Sequence, residues 1–380
     1  MGAGEQEKNK SQSVGSKDKF WIPRFWDGMG PSAWFPLLIR NRFRMSPRRV
    51  AMGCLLCGLS LINFGFWVLQ TLWFGRRIAK TELQGDPVFV IGHWRSGTTL
   101  LHELLVLDTR HTYADTYACF APNHFLASGW LMRPCLKILL PAKRPTDNMA
   151  AGWDRPQEDE FALCNIGVPS PYLTAAFPNN PPQYPEYLDL RNVPPEGVQR
   201  WKDALRWFLT CLTVRNPKRI VLKSPPHTAR MKTLLEMFPN AKFVHIVRNP
   251  YSIFPSTVGL WKRLYRDQGL QVPKYEGLDE YVFTTLNQMY DAFESDRALL
   301  KPGQFCDVRY EDLIAKPVEQ MQRVYQQLEL GDFEAVRPAV EQYFAKEKDY
   351  KTNRFEMPAE LRAEIARRWS KYIERYGYGA

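Results

Sequence analysis

The residues of this 380-residue chain that could do chemistry begin at one loop. In Val88-Phe-Val-Ile-Gly92-His-Trp-Arg95-Ser96-Gly97-Thr98-Thr99, an apolar run meets a glycine-bearing loop and then a leucine-rich stretch with helical spacing. Such a loop gathers backbone N–H groups and the positive end of a helix dipole around an anion. Arg95 adds a guanidinium able to fork onto a phosphate-like group. The plainer alternative is a strand-to-helix turn carrying an exposed arginine. A second constellation is acidic: Pro156-Gln-Glu158-Asp159-Glu160, preceded by Asp154. Proline followed by acids reads as a helix start with Asp154 as its N-cap, and the same carboxylates could instead take a proton from a substrate. Glu158 is preferred to Glu160, because alternate positions on one turn do not face the same cleft. His124 is the runner-up base, and His93 and His102, near the loop, are weaker candidates. His227 reads as a helix-cap residue, His111 as a surface residue and His245 as a core residue.

The loop has the spacing of a P-loop, GxxxxG[K][ST], except that Thr98 stands where the nucleotide-binding lysine belongs. Without that lysine a kinase or NTPase is poorly supported, and the positive charge has moved back to Arg95. Short β-rich runs alternate with amphipathic stretches from residue 85 onward, which predicts an α/β fold, a P-loop NTPase-like parallel sheet flanked by helices. Strands are expected at Pro87–Ile91, Arg219–Leu222, Lys242–Val247 and Gln304–Arg309, with helices over Thr99–Leu107, His227–Phe238 and about Pro317–Leu328. The proline-rich stretch 120–215 reads as a lid of loops and short helices over the carboxyl edge of the sheet, where open α/β sheets bind ligands.

Composition and charge narrow the function class. With 45% hydrophobic and 24% charged residues the chain can bury a sizeable core. The formal charge of +11 is concentrated in residues 1–80, which hold 13 Lys/Arg against 4 Asp/Glu. A nearly neutral main domain argues against nucleic acid as a partner. Seven scattered cysteines point to a reduced, cytosol-facing protein, with a lumenal Golgi-type placement as the alternative. Residues 1–19 read as a disordered tail and residues 20–82 as a basic, aromatic membrane-anchoring segment ahead of a domain at 83–380. Val50–Gly75 carries no charged residue, and as a helix it would run roughly 39 Å, enough to cross a hydrocarbon core of about 30 Å. Asn63 and Gly65 are expected to break it, so a span, an in-plane or re-entrant anchor, and a buried core helix all stay open. The Cys54/Cys57 pair reads as packing residues, and Phe20-Trp21, Phe25-Trp26 and Trp34-Phe35 as an interfacial belt.

The loop Arg95-Ser96-Gly97-Thr98-Thr99 resembles the phosphosulfate-binding loop of the sulfotransferases, bacterial membrane-associated branch. Two more elements of that resemblance occur in order. Lys223-Ser-Pro-Pro matches the family's active-site lysine, and Arg248 and Ser256 have the spacing of the pair that binds the donor's 3′-phosphate. Tyr310-Glu-Asp-Leu313 and the closing Trp369 and Tyr376-Gly-Tyr378 are similar too, so the likeness covers roughly residues 85–380. It implies a transferase of EC 2.8.2 type, using 3′-phosphoadenosine 5′-phosphosulfate (PAPS) to sulfate a hydroxyl or amine, with no metal in the scheme. Arg95, the loop N–H groups and Lys223 would carry the electrostatic part. Cytosolic relatives have a catalytic His two positions after the lysine, where this chain has Pro225, so the base must come from elsewhere: Glu158, Glu160 or His124. The expected partners are the lipid bilayer and a small-molecule, lipid or glycan acceptor. The rivals are a P-loop kinase or NTPase, and a membrane-tethered scaffold with a degenerate nucleotide pocket.

Overall fold

The computed structural model describes residues 24–136, 152–346 and 357–379. The expected tail at 1–19 and Phe20-Trp21 of the proposed belt lie outside these residues. Five parallel strands form one sheet in the order β2-β3-β1-β4-β5: β1 (Val88–Ile91), β2 (His111–Tyr113), β3 (Arg219–Lys223), β4 (Lys242–Val247) and β5 (Phe305–Arg309). All four residues of β1 are buried, as the central strand of a sheet covered on both faces requires. The four expected strands are present, and β2 is a fifth, a three-residue edge strand too short to leave a pattern. In register, Val90 of β1 sits beside Lys223 of β3, and Ile91 beside His245 of β4. The carboxyl ends of three neighbouring strands therefore open onto one crevice, at the point where the chain's path reverses across the sheet.

Among the described residues, fifteen α-helices surround the sheet. Helices α1 (Pro31–Arg40) and α2 (Val50–Lys80) precede β1, and α3 (Thr98–Leu105) follows its loop. Between β2 and β3 come α4 (Thr116–Phe120), α5 (Phe125–Leu136), α6 (Asp159–Ile166) and α7 (Pro195–Arg215). The expected lid of loops and short helices thus contains one 21-residue helix, α7, whose Trp201, Leu205, Phe208 and Leu212 are buried. After β3 a 3₁₀ segment (Pro225–Arg230) leads to α8 (Met231–Met237), where one helix was expected. Next are α9 (Pro250–Gln268) and α10 (Leu278–Asp296), then α11 (Tyr310–Ala315), α12 (Pro317–Leu328), α13 (Arg337–Lys346), α14 (Ala359–Arg368) and α15 (Ser370–Arg375).

The amino-terminal region departs most from the sequence reading. Helix α2 is continuous through Asn63 and Gly65. Asn63 does not break it because its amide donates outward, to the carbonyls of Asp27 (2.7 Å) and Met29 (3.1 Å). Phe25, Trp26 and Trp34 are core residues rather than an interfacial belt; Trp34 is fully buried and its indole N–H reaches Cys57 Sγ at 3.3 Å. Among the described residues of that group, Phe35 alone is exposed. Replacing Asn63 by Leu would strand two buried carbonyls, at about 1–3 kcal/mol each. Asn63→Leu should lower the urea midpoint markedly, whereas Leu72→Ala, at a side chain 73% exposed, should leave it within error.

Candidate functional site

The loop after β1 is shaped by two glycines and one strained arginine. A Cβ on Gly92 would sit 2.5 Å from the Ile246 carbonyl, and one on Gly97 would sit 2.5 Å from the Tyr310 ring. Both glycines have positive φ, 144° and 108°. Arg95 holds φ 68°, a left-handed conformation that a side chain rarely adopts unless its surroundings enforce it. Here they do. Arg95 Nε donates to Ser256 Oγ at 2.8 Å, and its carbonyl accepts from Arg248 Nη1 at 3.1 Å. Ser96 Oγ closes the turn onto the His93 carbonyl at 2.7 Å. The first backbone bond of α3 runs from Leu101 N to Gly97 O, so the Thr98 and Thr99 N–H groups belong to the helix's anion-attracting first turn.

Arg248 follows β4, and its guanidinium lies 4.1 Å from the Tyr310 ring centroid. Its backbone is clamped by the Tyr372 hydroxyl, which donates to the Arg248 carbonyl at 3.0 Å. Arg95, Ser96, Gly97, Thr98, Thr99, Arg248 and Ser256 are therefore one contiguous rim spanning the ends of β1 and β4. The residues present suit a bisphosphorylated ligand: two guanidiniums, a hydroxyl and a helix N-terminus surround a cradle that admits no Cβ. Beside Lys223, the buried Ser224 Oγ has no hydrogen-bond partner among the described residues.

Lys223 ends β3 and is 1% exposed. Its ammonium pairs with Glu158 Oε1 at 2.6 Å. Glu158 Oε2 accepts from the Tyr172 hydroxyl, which in turn accepts from Trp94 Nε1 at 2.5 Å. Burial, then the charge of Glu158, pushes the Tyr172 phenol well above its usual range, so it stays a donor. The Glu158 side chain is 15% exposed, and each of its oxygens retains a second lone pair.

The neighbouring acids face elsewhere. Asp159 is fully buried against His227 Nε2 at 2.7 Å, and Glu160 is fully buried, gripped by Arg230 at 2.6 and 3.0 Å and by Ser170. Burial alone would raise the Asp159 carboxyl, but the charge and hydrogen bond of His227 hold it below its ordinary value. The structure thus separates Glu160 from the crevice, as a buried structural ion pair. Asp154 is not the N-cap of this helix: it binds Arg133, and α6 begins after Glu158. The intervening chain is held extended by a bridge between Pro156 and Asp115. His124 is also placed apart, between Ser128 Oγ (2.8 Å) and Asn63 Oδ1 (3.2 Å) against α2. His93 is fully buried with Nδ1 on the Trp94 carbonyl; His102 and His111 are buried, the latter against expectation. Trp94, Tyr172 and Tyr372 complete the site without any signal in their spacing, whereas Tyr310 belongs to the Tyr310–Leu313 stretch already noted.

Comparison with known proteins decides the family. A model described as "Sulfotransferase family" matches residues 87–334. The omega-hydroxy-beta-dihydromenaquinone-9 sulfotransferase Stf3 of Mycobacterium bovis is 47% identical over 97% of this chain and 95% of its own. The chain belongs to the sulfotransferase family. The same-named protein of Mycobacterium tuberculosis matches equally. Among solved structures, STF9 of Mycobacterium avium superposes with a TM-score of 0.68 at 18% identity, covering 91% of this enzyme and 92% of its own chain. STF1 of M. tuberculosis gives 0.61 at 20% identity, over 88% and 90%. These two share the enzyme's fold, and a PAPS-type sulfonate donor goes with the family.

Two consequences can be measured. Glu160→Gln leaves Arg230 buried beside a neutral partner, and loss of such a pair costs about 3–5 kcal/mol. The variant should therefore melt early, while the specific activity of its folded fraction stays near normal. Burial also pushes His93 and His124 down to about 4. Below an unfolded value of about 6.5 the unfolded chain binds protons that the folded chain does not, so stability is complete above that pH and falls toward pH 4. Burial lowers His111 as well and raises Asp27 to about 6, which opposes the histidines. Denaturation midpoints between pH 7 and 4.5 should still decline, and His124→Gln should make the decline shallower.

Proposed function

We propose that the enzyme transfers a sulfonate from PAPS to the hydroxyl of a long-chain lipid, with Glu158 as general base. The observation that carries this is the Lys223–Glu158 pair at 2.6 Å, at the carboxyl end of β3 beside the Arg95–Thr99 loop. Arg95, the Ser96–Thr99 backbone and Lys223 would hold the phosphosulfate end of the donor, and Arg248 with Ser256 its 3′-phosphate. When bound, the donor supplies an activated sulfonate. Glu158 accepts the proton of the acceptor hydroxyl, and Lys223 and the loop N–H groups offset the negative charge that leaves with the donor's phosphate. Tyr172 fixes the carboxylate's orientation through its hydroxyl. No step uses Glu160 or His124.

The acceptor class is supported by the relative whose name is an omega-hydroxylated dihydromenaquinone sulfotransferase, 47% identical across nearly the whole chain. The omega-hydroxyl of a menaquinone derivative is accordingly the acceptor to try first, ahead of a glycan. A cytosolic active site suits seven free cysteines, four of them buried.

Incubating the purified enzyme with PAPS and an omega-hydroxylated dihydromenaquinone should yield a product heavier by one sulfonate in mass spectrometry; no product from any hydroxylated lipid would overturn the acceptor class. Glu158→Gln should lower turnover about 100- to 10,000-fold. Binding of adenosine 3′,5′-bisphosphate by calorimetry should stay intact in that variant and weaken sharply in Arg248→Ala. Near-normal turnover by Glu158→Gln would remove it from the mechanism.

A further inference from the structure

Helix α2 is apolar enough to cross a bilayer, yet its contacts are incompatible with crossing one. At its start, Arg49 Nη2 donates to the Arg266 carbonyl at 3.0 Å, and Ser46 N to the Leu270 carbonyl at 3.0 Å. Near its end, Arg77 Nη2 donates to the Val214 carbonyl at 3.1 Å. Between them Asn63 is bonded to Asp27, Met29 and His124, and Gln70 Oε1 accepts from Leu126 N at 2.9 Å. Gly53, Leu56, Ser60, Asn63 and Gln70 form one buried stripe down the helix. Both ends and the middle are thus fastened to the same folded body. To span, α2 would have to drag α7, α9 and their polar loops into hydrocarbon, which unsatisfied backbone groups forbid.

The opposite face is bare and apolar. Leu55, Leu61, Ile62, Leu69, Leu72 and Trp73 are 36–73% exposed. On the helices packed beside α2, Ile39 of α1 and Trp130 of α5 are also exposed, at 62% and 73%. Basic residues bracket it: Arg42, Arg44 and Arg48 are exposed before the helix, and Arg76 and Lys80 at its end. No acidic residue occurs from Gly28 through Thr81.

We propose that this face seats the enzyme on one leaflet of an anionic membrane, with α2 lying in the interface and its body on one side. Apolar side chains enter the boundary between headgroups and acyl chains, and the arginine and lysine clusters meet lipid phosphates. The arrangement does not depend on which acceptor is sulfated.

Sedimentation of the full chain with vesicles of phosphatidylcholine and phosphatidylglycerol should show binding at least about tenfold tighter than with phosphatidylcholine alone, weakening with salt. The double variant Leu72→Glu/Trp73→Glu should lose about tenfold or more in binding, while its melting curve, read by circular dichroism, stays unchanged. In right-side-out and inverted membrane vesicles from expressing cells, an impermeant maleimide should reach Arg48→Cys and Lys80→Cys, each in a Cys54→Ala/Cys135→Ala background, from the same side. Labelling from opposite sides would make α2 a span and overturn the proposal. So would equal binding to both vesicle types, or a discrete dimer that the Leu72→Glu/Trp73→Glu change dissociates with no effect on vesicles. None of these readouts uses sulfate transfer, so their failure leaves the proposed reaction standing.

Discussion

Three consecutive acids at the start of α6 meet three bases at and just after the end of β3: Glu158 with Lys223, Asp159 with His227, and Glu160 with Arg230. This ladder fastens the segment between β2 and α7 onto the sheet, and the rest of the site depends on it. Leaving any one of these charges buried and unpaired would be costly, so each rung specifies the position of the next. Two rungs are sealed from solvent at both partners. The third is the outermost, and its carboxylate keeps partial exposure. The ladder thereby gives rigidity to two carboxylates and leaves one within reach of a substrate.

The strand ends were legible in the sequence because a buried parallel strand needs an unbroken apolar run, and β1, β3, β4 and β5 supply one or close to one. The loop motif was legible for the same reason, being anchored to such a strand end, whereas Arg248 with Ser256 was picked out by the family resemblance, Ser256 lying in α9. The acidic triplet was visible, but not its partners. His227 reads as an ordinary cap, and nothing in the local pattern of Arg230 ties it to an acid; the 3₁₀ segment turns both toward α6. Asp154 looked like the cap because proline and acids followed it. Pairing of Pro156 with Asp115 keeps that stretch extended and delays the helix, a long-range contact that local pattern does not contain.

Residues 25–80 failed to read for a different reason. Aromatic residues beside arginines describe an interfacial belt and a partly buried docking helix equally well, since composition does not say which face is covered. Asn63 and Gly65 argued for a break, each carrying a helix penalty of up to about 1 kcal/mol. The penalty at Asn63 is offset by partners distant in sequence, the Asp27 and Met29 carbonyls and His124, which the sequence offered as a base and the structure uses to hold α2.

The Arg95 loop and the Arg248–Ser256 pair are mechanically one unit. Arg95 stands in a left-handed conformation that costs on the order of 1–3 kcal/mol. The contacts that enforce it come from the other end of the site: Ser256 takes its side chain and Arg248 takes its carbonyl. A group bound at Arg248 and Ser256 must therefore alter the restraint on Arg95, and through it the loop leading to Thr98 and Thr99. Trp94, the preceding residue, holds Tyr172, which holds Glu158. Two runs of hydrogen bonds, joined by the covalent Trp94–Arg95 link, thus connect Arg248 and Ser256 to the carboxylate proposed as base, so the positions of the two ends are coupled by the fold itself.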